Sequence, residues 1–155
     1  MERYDLILTL GISGSGKSTW AISADIPDKE IVCPDLIRKE LTGNVSDQSA
    51  NQEVFRIVDK RIRHALENGK TVILDATNLN TKFRRKDLEK WKSKGYAVAY
   101  KVFPSETGTC YSRVSEDIKK GVDRSDVPIH AIERQHSMWL KSLDDILEED
   151  AVILC

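Results

Sequence analysis

Gly11-x₄-Gly16-Lys17-Ser18 is the stretch of this sequence whose residue types and spacing fit a polyphosphate. Glycines let the backbone wrap close to phosphate oxygens, so that successive N–H groups point inward. A helix beginning there turns its positive dipole end toward the same anion. Lys17 is placed to meet the β- and γ-phosphates, and the Ser18 hydroxyl to ligate Mg²⁺. Gly11, Ser13, Gly14, Ser15, Gly16, Lys17, Ser18 and Thr19 are the expected nucleotide contacts. A chance glycine turn would lack the strand before and the helix after that the motif requires. No Asn-Lys-x-Asp string is present to read guanine, so ATP is the expected nucleotide.

A second pair follows the next apolar run. Asp35 and Arg38 stand one helical turn apart and share a face. A kinase with an alcohol acceptor needs a carboxylate to take the hydroxyl proton. An adjacent guanidinium keeps that carboxylate ionised and could also grip a phosphate of the acceptor. The alternative is plainer: Asp35 as an N-cap with a surface ion pair.

The elements that must position these residues are read from alternating short apolar runs and helical stripes. Leu6–Leu10, Ile31–Cys33, Val72–Leu74, Ala97–Phe103 and Ala151–Leu154 read as strands. Phe55, Val58, Ile62, Ala65 and Leu66 recur at helical spacing. Residues 81–94 form a charged helix stopped by Gly95. Cys110, Val114 and Ile118 mark another helix, and Pro128 opens one carrying Ile132, His136, Trp139 and Leu143. Strands alternating with helices imply an α/β fold, a parallel β-sheet with helices on both faces that binds ligands at the carboxyl ends of its strands.

At 155 residues, 40% hydrophobic and 32% charged, the chain reads as one globular domain over 1–155, with formal net charge −1. No apolar run is long enough to span a bilayer, so no membrane partner is expected. The three cysteines, Cys33, Cys110 and Cys155, form no paired motif, which fits a reduced, cytoplasmic setting.

With Asp75-Ala76-Thr77-Asn78-Leu79-Asn80 added to the motifs above, the chain resembles the kinase domain of the phage-type polynucleotide 5′-hydroxyl kinases. The resemblance rests on Gly11-x₄-Gly16-Lys17-Ser18-Thr19-Trp20-Ala21, Asp35-x-x-Arg38, the Asp75 to Asn80 segment and Lys101-Val102-Phe103. Arg113 followed by Val127-Pro128-Ile129 adds to it. The resemblance implies a P-loop kinase fold with a helical lid, and transfer of the ATP γ-phosphate to a 5′-hydroxyl end of DNA or RNA. It assigns Asp35 as general base, Arg38 to the acceptor's phosphate, and Arg113 to the lid. Asp75 is expected to help hold Mg²⁺ or the acceptor, or to cap a turn; Thr77 and Asn78 are expected acceptor contacts or loop caps.

The chain departs from the family where a second lid arginine would stand one turn after Arg113, because Asp117 is there. Asp117 is expected to hold Arg113 while the site is empty, and Arg124, rather than Lys119 or Lys120, to supply the second lid charge. Some relatives continue into a phosphatase domain; the chain stops first, so no phosphatase activity is expected. The lysines and arginines between Lys82 and Lys101, Arg84 and Arg85 among them, form an expected cationic surface for a polyanion, or simply a solvated face. The acidic stretch from Asp144 to Asp150 is expected to face solvent. Two alternatives stay open: phosphorylation of a hydroxymethylated DNA base or a small nucleoside or sugar-nucleotide hydroxyl, and a nucleotide-gated binding module without catalysis.

Overall fold

The computed structural model describes residues 2–154. Cys155, to which the sequence assigns no role, lies outside them. Five parallel strands, β1 (Leu6–Leu10), β2 (Lys29–Val32), β3 (Thr71–Leu74), β4 (Val98–Val102) and β5 (Val152–Leu154), run in the order β2-β3-β1-β4-β5. Leu8 of β1 sits opposite Leu74 on one side and Tyr100 on the other. Every residue of β1 and β3 is buried, so both faces of the sheet are covered. Helices α1 (Lys17–Ser23), α2 (Pro34–Thr42), α3 (Asn51–Glu67), α4 (Thr81–Ser93), α5 (Thr107–Lys119) and α6 (Ile129–Asp145) do the covering, and one 3₁₀ turn, Ile146–Glu148, leads into β5.

Thr9 is the polar residue in β1, and its place in the core has a cause. Its hydroxyl donates to the Ala76 carbonyl at 2.6 Å and accepts the Ala76 N–H at 3.1 Å, pinning the segment that follows β3. In α3, Val54, Val58, Ile62 and Ala65 recur on one face and pack against the sheet, where burial stabilises each of the three larger side chains by roughly 1.5–3 kcal/mol. Phe55 does not belong to that stripe: it is 54% exposed, because it stands a residue off the buried face. Nor is Asp35 the cap of α2. Cys33 holds the N-cap position, Pro34 opens the helix, and Asp35 lies inside the first turn.

The expected cationic surface on α4 is thinned, because the acidic stretch folds back on part of it, while Lys82, Lys86 and Lys94 stay exposed. Arg84 is fully buried and pairs with Glu149, Nε to Oε1 at 3.2 Å and Nη2 to Oε2 at 2.9 Å. The Tyr100 hydroxyl donates to the same Glu149 Oε1 at 2.8 Å. Arg85 turns toward Glu148 and the Asp145 carbonyl, Lys92 pairs with Asp150, and Lys90 pairs with Asp59 of α3. Arg84 is therefore not a free contact for an acceptor, whereas Arg85 stays 46% exposed, and Asp145, Glu149 and Asp150 do not simply face solvent. Charges that read locally as a solvated face are neutralised across the fold.

Candidate active site

The chain leaves β1 toward β2 at one edge and later reaches β4 on the other side of β1. The loop after β1 thus lies at the point where the strand order reverses, above the carboxyl ends of the strands. Two glycines give this loop its path. Gly14 has φ +81°, and a Cβ there would lie 2.4 Å from the Cys110 carbonyl oxygen. Gly16, φ +97°, turns the chain into α1. Distant side chains fasten the rest: Ser13 N–H donates to Gln135 Oε1 of α6 at 2.8 Å, and Ile12 N–H to Ser105 Oγ at 3.3 Å.

Lys17 is buried, and its ammonium donates to the Ile12 carbonyl at 2.7 Å, folding it back over the loop. Burial lowers its pKa to about 8; the Asp75 carboxylate opposes that shift and the Arg124 guanidinium adds to it. Ser18 Oγ donates to Asp75 Oδ2 at 2.6 Å. This bond joins the two residues that the sequence proposes for Mg²⁺. Asp75 caps no helix or turn with its carboxylate; it stands just past β3, buried, with its backbone N–H on the Val32 carbonyl.

Across the cleft, the Asp35 carboxylate is 55% exposed while the Arg38 side chain beside it is 6% exposed. Arg38 is built in: Nη1 donates to Asp35 Oδ1 at 2.5 Å, and Nη2 and Nε donate to Asn51 Oδ1 at 3.1 and 3.3 Å. Asn51, the first residue of α3, is a positioning residue that local sequence does not disclose. A buried guanidinium thus presents an open carboxylate to the cleft. Lys17, Ser18, Asp35, Arg38, Asp75 and Arg124 all line this one cleft, whose volume is about 850 Å³. Thr77 also lines it, whereas Thr19 points to solvent.

Three expectations need correction. Asn78 reaches a left-handed backbone, φ +51°, and its amide donates to the carbonyls of Thr9, Ala76 and Leu74 at 2.6, 3.3 and 3.4 Å. Its side-chain amide staples the loop, the loop-cap alternative, while the residue still lines the cleft. Asp117 pairs with Arg124, Nη1 to Oδ2 at 2.7 Å, rather than with Arg113 one turn away. Arg113 instead donates to the Gly14 carbonyl at 3.1 Å, outside the main cleft and beside a separate hollow floored by Cys110. A tertiary contact holds Arg113, and the turn of the chain after α5 brings Arg124 to Asp117. Arg124 keeps its place in the cleft, with a buried Nε that has no partner among the described residues.

The oxygen pair of Ser18 and Asp75 fits Mg²⁺. Hard oxygen donors suit the ion, and Mg²⁺ is commonly held by one carboxylate with phosphates and waters completing the shell. No cluster of three or more metal-ligating His, Cys, Asp or Glu side chains occurs among the described residues. Neither described cysteine is activated: burial pushes the Cys33 thiol up to about 11 and also raises that of Cys110.

Comparison with known proteins places this geometry in context. The model of the AAA_33 family, described as an AAA domain, matches residues 6–139. No curated protein matches significantly. Among solved structures, a chain of the Pnkp1/Rnl/Hen1 RNA repair complex superposes with TM-score 0.78 at 20% identity, over 93% of this chain and 47% of that one. A tunicamycin resistance protein of Deinococcus radiodurans gives TM-score 0.58 at 13% identity, over 97% and 98% of the two chains. A gluconokinase from Sinorhizobium meliloti 1021 gives 0.59 at 20% identity, over 99% and 83%. The chain spans about half the length of the first of these (47%). At such identities the likeness shows a shared P-loop kinase fold.

Proposed function

Since the chain belongs to the AAA_33 family of AAA domains, we propose that it is an ATP-dependent phosphotransferase whose acceptor is the 5′-hydroxyl end of DNA or RNA. The observation that carries this reading is the Asp35 carboxylate, held by the buried Arg38–Asn51 brace and opening into the same cleft as Lys17. A nucleotide switch has no need of such a base. The likeness to a chain of an RNA repair complex supports the choice of acceptor.

In this reading the phosphate-loop N–H groups and Lys17 hold the ATP phosphates, and Ser18 and Asp75 hold Mg²⁺, which would neutralise charge on the β- and γ-phosphates. Asp35 accepts the proton of the 5′-hydroxyl as its oxygen bonds to the γ-phosphorus. The bond from that phosphorus to the bridging oxygen breaks, and ADP leaves. Arg38 orients the base and can meet the acceptor's first phosphate. Arg124, already in the cleft, adds positive charge beside Lys17, consistent with a lid role for the segment after α5.

One observation favours a second reading. With Arg84, Arg85 and Lys92 of α4 drawn toward the acidic stretch, the cationic flank of the cleft is thinner than the surface a long polymer would use, although Lys86 still lines it. A small hydroxyl acceptor, a nucleoside or sugar nucleotide, would not miss it. The test is transfer of labelled γ-phosphate to matched 5′-hydroxyl DNA, 5′-hydroxyl RNA, hydroxymethyl-base DNA and free nucleosides, with and without Mg²⁺. Transfer to 5′-hydroxyl oligonucleotides is expected; transfer to nucleosides alone overturns the polymer reading. Asp35→Asn should lower turnover by about 10²-fold or more with ATP affinity close to that of the parent.

A further inference from the structure

Past Asp35 the cleft continues between α3 and α4, and the chemistry above leaves that end unused. The Lys90–Asp59 ion pair ties the two helices together. One turn before it on each helix stand Phe55 and Asp87, both lining this end of the cleft. Phe83 lies one turn earlier on α4. Phe55 and Phe83 are 54% and 62% exposed, yet both line the cleft, over a floor that includes Val58, Ile62 and Trp91. Two aromatic faces left open to water beside a catalytic cleft cost solvation unless something flat covers them.

Asp87 supplies the polar group. It is half-buried, lines the same end of the cleft, and no hydrogen bond or ion pair engages its carboxylate among the described residues. Its burial pushes the carboxyl above the usual carboxylate range. A slot with aromatic walls and an unpaired carboxylate, the neighbouring Asp59 being engaged by Lys90 and Arg63, has the character of a small-ligand pocket.

We propose that this end of the cleft is a nucleobase subsite: the acceptor's terminal base stacks on Phe55 and Phe83, and Asp87 reads its Watson–Crick edge in favour of guanine. The inference rests on the reading of the acceptor as a 5′-nucleoside end. Aromatic stacking accepts any base, so selection falls to Asp87. An ionised carboxylate accepts hydrogen bonds and donates none. Guanine alone presents two adjacent donors, N1–H and N2–H, which match the two carboxylate oxygens. Adenine and cytosine set a ring-nitrogen acceptor beside their amino donor, and thymine or uracil flanks one donor with two carbonyls. Each of these turns a lone pair toward Asp87, leaving acceptor against acceptor.

The full chain decides the matter with four 5′-hydroxyl oligonucleotides that differ only in their first base. The 5′-guanine end should give the highest kcat/KM, by roughly tenfold. Asp87→Ala should cut that value by roughly tenfold and level the four bases, whereas Asp87→Asn, with one donor beside one acceptor, should move the preference toward adenine and cytosine. Phe55→Ser should raise the acceptor KM for every base. A second readout needs no phosphoryl transfer: quenching of tryptophan fluorescence by guanosine, adenosine, cytidine and thymidine, with guanosine binding tightest. Equal kcat/KM for the four ends, with equal nucleoside binding, overturns the subsite and leaves the proposed activity standing. Selective guanosine binding without transfer to any oligonucleotide upholds the subsite and overturns the 5′-end reading.

Discussion

Replacing Glu149 with glutamine tests the buried pair that fixes α4 to the end of the sheet. Arg84 and Glu149 have side-chain exposures of 0% and 2%, so water cannot replace a lost partner. Two guanidinium bonds and the Tyr100 hydroxyl converge on this one carboxylate. Glutamine keeps the shape, removes the charge and turns one acceptor into a donor, which then faces an N–H or the hydroxyl. Breaking a buried pair while leaving its cation in place costs about 3–5 kcal/mol. Against a domain stability of about 5–15 kcal/mol, that is a large share. For a chain of this length it corresponds to a Tm loss of roughly 6–20 °C. Urea unfolding with an unchanged m-value gives the quantity directly. The double change Arg84→Met with Glu149→Leu should recover a substantial part, because the orphaned charge is gone and apolar packing replaces it. A Glu149→Gln protein within about 1 kcal/mol of the parent would refute the argument, since it would show that the pair is no more than a surface contact.

Three further outcomes follow from the site. Lys17 carries a pKa lowered to about 8, and a bound polyphosphate favours its charged form, so ATP binding should take up a proton above that pH. Affinity should fall about tenfold between pH 7 and pH 9; calorimetric titration in buffers of different ionisation heat checks this, and flat affinity from pH 7 to 9 contradicts it. Asp75→Asn should raise the Mg²⁺ concentration for half-maximal turnover by roughly 10–100-fold, read from a magnesium titration, with an unchanged midpoint counting against the Ser18–Asp75 assignment. Gly14→Ala combines a positive φ with a Cβ 2.4 Å from the Cys110 carbonyl, so thermal stability and ATP binding should drop together, and a protein with the parent's Tm and ATP affinity would show that the loop yields freely.

The sheet and the phosphate loop were legible in sequence because their signals are local. Leu6–Leu10 and Thr71–Leu74 are buried on both faces and read as near-continuous apolar runs. Pro34 at the first position of α2 could have excluded Asp35 as its cap, since proline is favoured there. Arg84 was not legible: its partner Glu149 lies 65 residues away, and both belong to charged stretches that read as solvent faces. The pairing of Asp117 with Arg124, seven residues on, depends on how the chain turns back after α5, which helical spacing does not reveal. Asn51 and Gln135 carry no local mark at all, because a lone amide becomes a brace only when the fold presents it with a partner.

The fastening of the phosphate loop bears on how the protein acquires affinity as it folds. Ser13 is tied to Gln135, 122 residues on, and Ile12 to Ser105, 93 residues on. Closing loops of that size is entropically costly and slow, and their contacts form after local helix formation is complete. The segment from β1 through α1 holds the phosphate-binding residues, yet on its own it lacks both anchors. In refolding from urea, then, helical signal should return ahead of nucleotide affinity, so that a fluorescent ATP analogue would mark the closing step of assembly rather than its beginning.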